Sequence, residues 1–222
     1  MIEIIKVESK DQEREFVMFP FSLYKGCDYW VPPIISEELE SMDKEKNPVF
    51  ENAEAEFYIA KKDGVTVGRI AAMVNWVEIE EQKKNKLRFG WYDTIDDLEV
   101  SKKLLESVIE FGKKRKLEFV DGPVGFSNMD KAGLLIEGYE ELNTMITWYH
   151  YPYQKEHLKK LGFSKLAEWV EYKIKIFSAE DAPEKVKKFS KIIQQRYELK
   201  VLNFKSRKEI IPYVDKMFEL LN

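Results

Sequence analysis

The chain has 222 residues, a formal net charge of −4 and 44% hydrophobic residues. That suits one generous domain, or one domain with part of another, and excludes a disordered chain. No apolar run is long enough for a bilayer and the start, MIEIIKVESKDQEREF, lacks the layout of a secretory signal. The single cysteine, Cys27, cannot form an internal disulfide, so a cytoplasmic location is expected.

Ile2 to Val7 reads as a strand. Residues 10 to 25 read as a helix with Phe16, Val17, Phe19, Leu23 and Tyr24 on its apolar face, kinked or split by Pro20. Trp30-Val31-Pro32-Pro33 is a rigid extended loop, and a short helix follows at 34 to 43. Phe57 to Lys61 and Val65 to Trp76 flank Lys62-Asp63-Gly64, a hairpin turn signal. Residues 78 to 86 are charged and loop-like, and Leu87 to Tyr92 reads as a third strand of the meander.

Asp96 or Asp97 caps a helix over 98 to 116, with Leu104, Leu105, Val108 and Ile109 turned inward. Lys113-Lys114-Arg115-Lys116 falls at its C-terminal end, where cations favour the helix dipole; with the acidic total, this argues against a nucleic-acid partner. Phe119-Val120 starts another strand, ended by Asp121-Gly122-Pro123. Residues 124 to 147 form a long glycine-containing segment. A helix over about 153 to 161 runs into Leu161-Gly162-Phe163, and Leu166 to Phe177 is read as the last strand. His150 and His157 have no cysteine or carboxylate at zinc-motif spacing, so no metal site is expected. The order is a mixed α/β arrangement.

This order, the Asp-Gly hairpin before Gly68-Arg69-Ile70-Ala71-Ala72, and the helix ending in Leu161-Gly162-Phe163 resemble the GNAT superfamily of acyl-CoA N-acyltransferases over residues 1 to about 178. Phe21, Trp30-Val31-Pro32-Pro33, Asn47-Pro48, Gly122-Pro123 and Tyr151-Pro152-Tyr153 resemble a bacterial GNAT-like subfamily of largely unassigned function. The resemblance implies a central, mostly antiparallel sheet flanked by helices, in which two strands splay apart around acetyl-CoA or another acyl-CoA. It implies acyl transfer to an amine, either a small molecule or a peptide. The cofactor-binding stretch is placed at Trp91, Tyr92, Asp93, Glu99, Val100 and Ser101.

Two departures stand out. Phosphate cradles of the superfamily use glycines at a helix start, where free N–H groups and the dipole favour an anion. Here Tyr92 to Ser101 holds no glycine, no basic residue and four carboxylates, so weak cofactor binding is expected. A tyrosine that many members carry four residues before the glycine of Leu-Gly-Phe is here Leu158, which cannot protonate a leaving thiolate. Tyr149, Tyr151, Tyr153 and His157 are nearby substitutes, of which Tyr153 is taken as the acid. Glu78, Asp93 and Asp130 are candidate bases by position. The rival reading is a GNAT-fold binding or scaffolding module without catalysis.

Residues 179 to 197 read as a connecting helix, Leu199 to Phe204 as a strand and Arg207 to Leu221 as a helix. Sliding residues 2 to 24 onto 199 to 221 pairs Ile2 with Leu199, Val7 with Phe204, Ser9 with Ser206 and Phe21 with Phe218. Residues 198 to 222 are therefore expected to begin a second GNAT-like half, or to join a homodimer. No membrane partner is expected.

Overall fold

A computed structural model describes every residue except Asn128, Met145, Ile176, Phe177, Ala179 and Asn222, with Leu221 described in its backbone alone. Two compact units result, Met1–Trp169 and Val170–Asn222.

In the first unit, β1 (Ile2–Lys6), β2 (Ala53–Lys62), β3 (Val65–Asn75), β4 (Lys86–Thr94) and β5 (Phe119–Asp121) form one sheet in sequence order. The first three pairings are antiparallel and β4–β5 is parallel. The β2–β3 hairpin closes through Asp63 and Gly64, both at positive φ, as the primed turn of an Asp-Gly pair requires. Both faces are covered over the middle of β2 and most of β3, where Phe57–Ala60 and Ile70–Val74 are apolar runs. Ala60, Ile70, Ala72, Leu87 and Phe89 point to one core; Phe57, Ile59, Ala71, Met73 and Trp91 point to the other.

Helix α4 (Leu98–Lys114) packs on the first core. Leu104, Leu105 and Val108 are buried as expected; Ile109 is only partly buried, and Phe111 completes the face in its place. On the opposite core lie α1 (Lys10–Leu23) and α2 (Ile35–Met42). Of the kink or split expected at Pro20, the split does not occur. Pro20 sits in the last turn, where its missing N–H releases the carbonyl of Phe16, and Arg69 Nη1 donates to that carbonyl at 3.1 Å. Strand β3 stops one residue earlier than read, because the Asn75 side chain caps a short helix, α3 (Trp76–Glu80), by accepting from the Val77 N–H.

Helix α5 (Pro152–Lys160) ends as its sequence indicates. Gly162 adopts φ 90, its N–H donates to Lys159 O, and the Phe163 N–H donates to Leu158 O. This is a Schellman cap, and Leu158 and Phe163 pack on the same core. Leu158 thus has a packing role. Residues 122–151 contain no helix or strand among those described, apart from an isolated bridge between Val124 and Ala132.

The second unit holds α6 (Glu184–Arg196), α7 (Arg207–Ile210), a 3-10 turn at Ile211–Tyr213 and α8 (Val214–Leu221). The strand expected at 166 to 177 does not form over 166–175; Ile176 and Phe177 lie outside the described residues. The strand expected at Leu199 to Phe204 does not form either, and Val201 is 78% exposed. Apolar and β-branched content favours a strand but supplies no hydrogen-bonding partner, and a strand needs one. The helix start is shared with α1. In α1, Gln12 Oε1 accepts from the N–H groups of Glu8 and Ser9; in the tail, Glu209 accepts from the Lys205 N–H and the Ser206 hydroxyl. These are the positions that the slide of 2–24 onto 199–221 superimposes.

Candidate functional site

The sheet opens at β4. Arg69 faces Asp93 and Ala71 faces Gly90, so two steps on β3 span three on β4. The extra residue puts Trp91 at φ 47, a left-handed conformation that costs a non-glycine residue about 1–2 kcal/mol. Gly90 allows the chain after β5 to cross closely, since a Cβ there would strike the carbonyl of Val124. On its other edge β4 pairs with β5 only over Lys86 to Arg88. Val124 N–H still reaches Phe89 O at 2.8 Å, and past that point the strands separate.

Two carbonyls of β4 face this gap and are met by α5 rather than by a strand. Tyr153 Oη donates to Thr94 O at 2.6 Å, and Gln154 Nε2 donates to Tyr92 O at 3.1 Å. Gln154 is fully buried, and its Oε1 accepts from the Tyr151 N–H at 2.8 Å, which fixes the start of α5. Burial, with Tyr151 and Asp93 nearby, raises the Tyr153 phenol well above its ordinary range, so it keeps its proton.

Behind the gap, Asp93 is bound on both oxygens, by Tyr24 Oη at 2.7 Å and Arg69 Nε at 2.7 Å. Burial and the Asp93 charge push the Tyr24 phenol far up, so Tyr24 stays a donor. Glu78 is held by Arg88 at 2.6 and 2.8 Å and by Lys86 at 3.2 Å. Burial would raise its carboxyl, but these bonds outweigh burial and hold it low. Of the three carboxylates read as candidate bases, Glu78 and Asp93 are thus engaged in buried ion pairs. Asp130 borders the cleft described below, and its Oδ2 accepts from Ser127.

The start of α4 is capped from within. Asp97 Oδ1 accepts from the Glu99 N–H, and Asp97 O accepts from the N–H groups of Val100 and Ser101. Lys62 binds Asp97 Oδ2 at 2.9 Å and is the main reason that this carboxyl is held low. Glu99 and Asp96 are exposed, whereas the Val100 and Ser101 side chains are buried in the fold. Ser101 Oγ accepts from Tyr92 Oη at 2.8 Å and lies 2.8 Å from His157 Nδ1, and His157 Nε2 lies 3.2 Å from Asp96 Oδ1. One consistent set of donors runs Tyr92 to Ser101 to His157 to Asp96, with the imidazole proton on Nε2. Burial raises the Tyr92 phenol to about 12. Tyr149 and Tyr151 are occupied in aromatic packing with Tyr24.

On the α1–α2 side, the bulged Trp91 donates from Nε1 to Glu38 Oε2 at 2.6 Å. Glu38 belongs to the walls of two adjoining cavities, with Lys131 and Trp148 common to both. The inner one is a slot of about 20 Å³ beside Arg69 and Asp93, room for about one water. The outer one is a cleft of about 410 Å³ between α2 and a wall made by Gly125, Phe126, Ser127, Asp130 and Lys131, within the size range of small-molecule sites. Sequence reading missed Glu38. Its only local signal is a pair of glutamates soon after a rigid Pro-Pro, and its partner lies 53 residues away.

An antiparallel meander, a crossover helix, and a parallel strand that leaves a bulged β4 after three residues together define the architecture. The fold is a mixed α/β arrangement, a five-stranded sheet flanked by helices. No family model matches the sequence. The chain is 30% identical over 167 residues to Protein YghO of Escherichia coli (strain K12), covering 73% of this chain and 43% of that protein. It is 23% identical over 174 residues to the bacterial ceramide synthase of Caulobacter vibrioides, covering 78% of this chain and 45% of the relative. The chain therefore spans less than half the length of these curated relatives. Among solved structures, an acetyltransferase of the GNAT family from Staphylococcus aureus Mu50 aligns at TM-score 0.40 and 18% identity, covering 55% of this chain and 73% of that one. A predicted acetyltransferase from Clostridium acetobutylicum, solved with acetyl-CoA, aligns at 0.48 and 13%, covering 78% and 96%. These are likenesses of fold alone. Among the described residues no helix is long and apolar enough to cross a membrane, and no group of three or more His, Cys, Asp or Glu is placed to hold a metal.

Proposed function

We propose that the first unit transfers an acyl group from an acyl-CoA to an amine. The observation that carries this reading is the gap in the sheet, where the Tyr92 and Thr94 carbonyls lie beside a phenol that keeps its proton. The curated relative named a ceramide synthase supports it, since a ceramide is an N-acylated amine. In this reading the backbone of Trp91, Tyr92 and Asp93 lines the acyl arm. The amine attacks the thioester carbonyl, the C–S bond breaks, Tyr153 delivers its proton to the departing thiolate, and the proton shed by the acylated nitrogen passes to water, which returns one to the phenolate.

The donor's two ends fit unequally. Polar backbone on β4 suits an amide-bearing arm, provided that Tyr153 and Gln154 yield their bonds to it. At the start of α4 the donors of Glu99, Val100 and Ser101 are taken by Asp97, and Asp96, Asp97 and Glu99 oppose a diphosphate. These same features favour the second reading, a binding module without catalysis. The discriminating assay incubates the chain with acyl-CoAs of increasing length and a primary amine, following free thiol and amide by mass spectrometry. Amide formation that depends on the protein supports transfer; no amide with any donor leaves the binding module.

A further inference from the structure

The outer cleft is more specific than a generic amine site. Its walls hold three carboxylates, Glu37, Glu38 and Asp130, against one cation, Lys131. They also hold Trp91, Phe126 and Trp148, with Trp91 5.9 Å from Phe126 and 6.2 Å from Trp148 between ring centroids. Aromatic faces and a carboxylate in one concave site attract a cation carrying an apolar body: the charge is met by Glu38 and the ring quadrupoles, and the apolar part by the rings and by Val49 and Pro48.

Asp130 is held within its own loop by Ser127, whereas Glu38 is held from the sheet. Trp91 Nε1 fixes one carboxylate oxygen, which orients the other. The bulge in β4 is what brings the indole there, and the same bulge sets Tyr92 O at the gap. Backbone strain at Trp91 therefore joins the cleft to the opened sheet edge.

We infer that the cleft between α2 and the wall of Phe126, Asp130 and Lys131 binds a primary amine bearing an alkyl or aryl chain, with the ammonium at Glu38 and the chain against Trp91 and Trp148. This deepens the proposed acyl transfer by naming the acceptor class, yet it is testable without any acyl donor.

The test is titration of the whole chain with n-octylamine, read by calorimetry and by tryptophan fluorescence, beside n-octanol and n-butylamine. Saturable octylamine binding at least about tenfold tighter than either comparison is expected, because both the charge and the chain are needed. Glu38→Gln, which keeps an acceptor for Trp91, and Trp148→Leu should each weaken octylamine by about tenfold or more while circular dichroism stays unchanged. Equal binding of octanol, no saturation with octylamine, or indifference to Glu38→Gln would overturn the proposal. Octylamine binding without amide formation would uphold the cleft and defeat the transfer reading.

Discussion

The hydroxyl of Tyr153 donates to the main-chain carbonyl of Thr94, 2.6 Å away, so the first turn of α5 is fastened to the sheet where the sheet opens. That single bond bears on both stability and chemistry. Tyr153→Phe should cost about 1 kcal/mol in urea unfolding, the usual value of one hydrogen bond. If Tyr153 delivers the thiolate proton, the same variant should lower turnover by about a hundredfold or more. A turnover loss no larger than the loss of folded protein would assign Tyr153 a structural role only.

Acetyl-CoA should bind with a dissociation constant near or above about 100 μM, roughly 5 kcal/mol of binding. The cause is the self-capped, acidic start of α4. Calorimetry giving low-micromolar affinity would show that Asp96, Asp97 and Glu99 do not hinder the diphosphate. Asp96→Asn with Glu99→Gln, both at exposed positions, should tighten binding if they do.

Stability should fall on mild acidification because of His150. This imidazole is fully buried, and burial lowers its pKa from 6.5 to about 4. Its Nδ1 accepts from the Leu135 N–H. A folded-state pKa below the unfolded one gives stability that is present above about pH 6.5 and is lost as pH falls toward 4. The loss should amount to about 3 kcal/mol, on the order of 1.4 kcal/mol per unit. Urea midpoints measured from pH 7 to pH 4 test this, and His150→Gln should flatten the curve over that window.

Asp93→Ala should destabilise the first unit by about 3–5 kcal/mol, because it strands Arg69 as a buried unpaired charge. Arg69→Met with Asp93→Leu should recover part of that loss. Equal destabilisation of the single and double variants in urea melts would rule out the stranded charge as the cause.

The second unit should associate as concentration rises. Leu199, Val201 and Leu202 are more than half exposed, and Val186 and Phe189 on α6 are as well. Light scattering should show mass increasing with concentration; Val201→Lys with Phe189→Lys should abolish the increase. A constant monomer mass would sink this expectation.

Much of the first unit was legible because its signals are local. The Asp63-Gly64 turn, the apolar β2 and β3, the cap at Asp97 and the Leu161-Gly162-Phe163 terminus each depend on a few neighbouring residues. The site was less legible. Tyr153 could be placed near the gap, but its acceptor on Thr94 and the tie between Gln154 and Tyr92 depend on how α5 docks. Glu38 takes its meaning from a tryptophan in a rare backbone conformation, which a propensity reading assigns to no residue of that size. The strands expected at 166 to 177 and 199 to 204 show the converse limit: their composition suits a sheet, but composition does not say which backbone groups they would pair with.

The proline in α1 has a consequence for how this fold tolerates substitution. Pro20 frees the Phe16 carbonyl, and Arg69, on another element, spends one of its donors there. The two positions are thereby linked across the core. A residue with an N–H at position 20 would share the Phe16 carbonyl with Arg69, since a carbonyl oxygen can accept two hydrogen bonds. With proline there, the helix N–H is gone and that oxygen leans on the arginine, so loss of the Arg69 side chain should be felt more in this chain than in a variant with an ordinary residue at position 20.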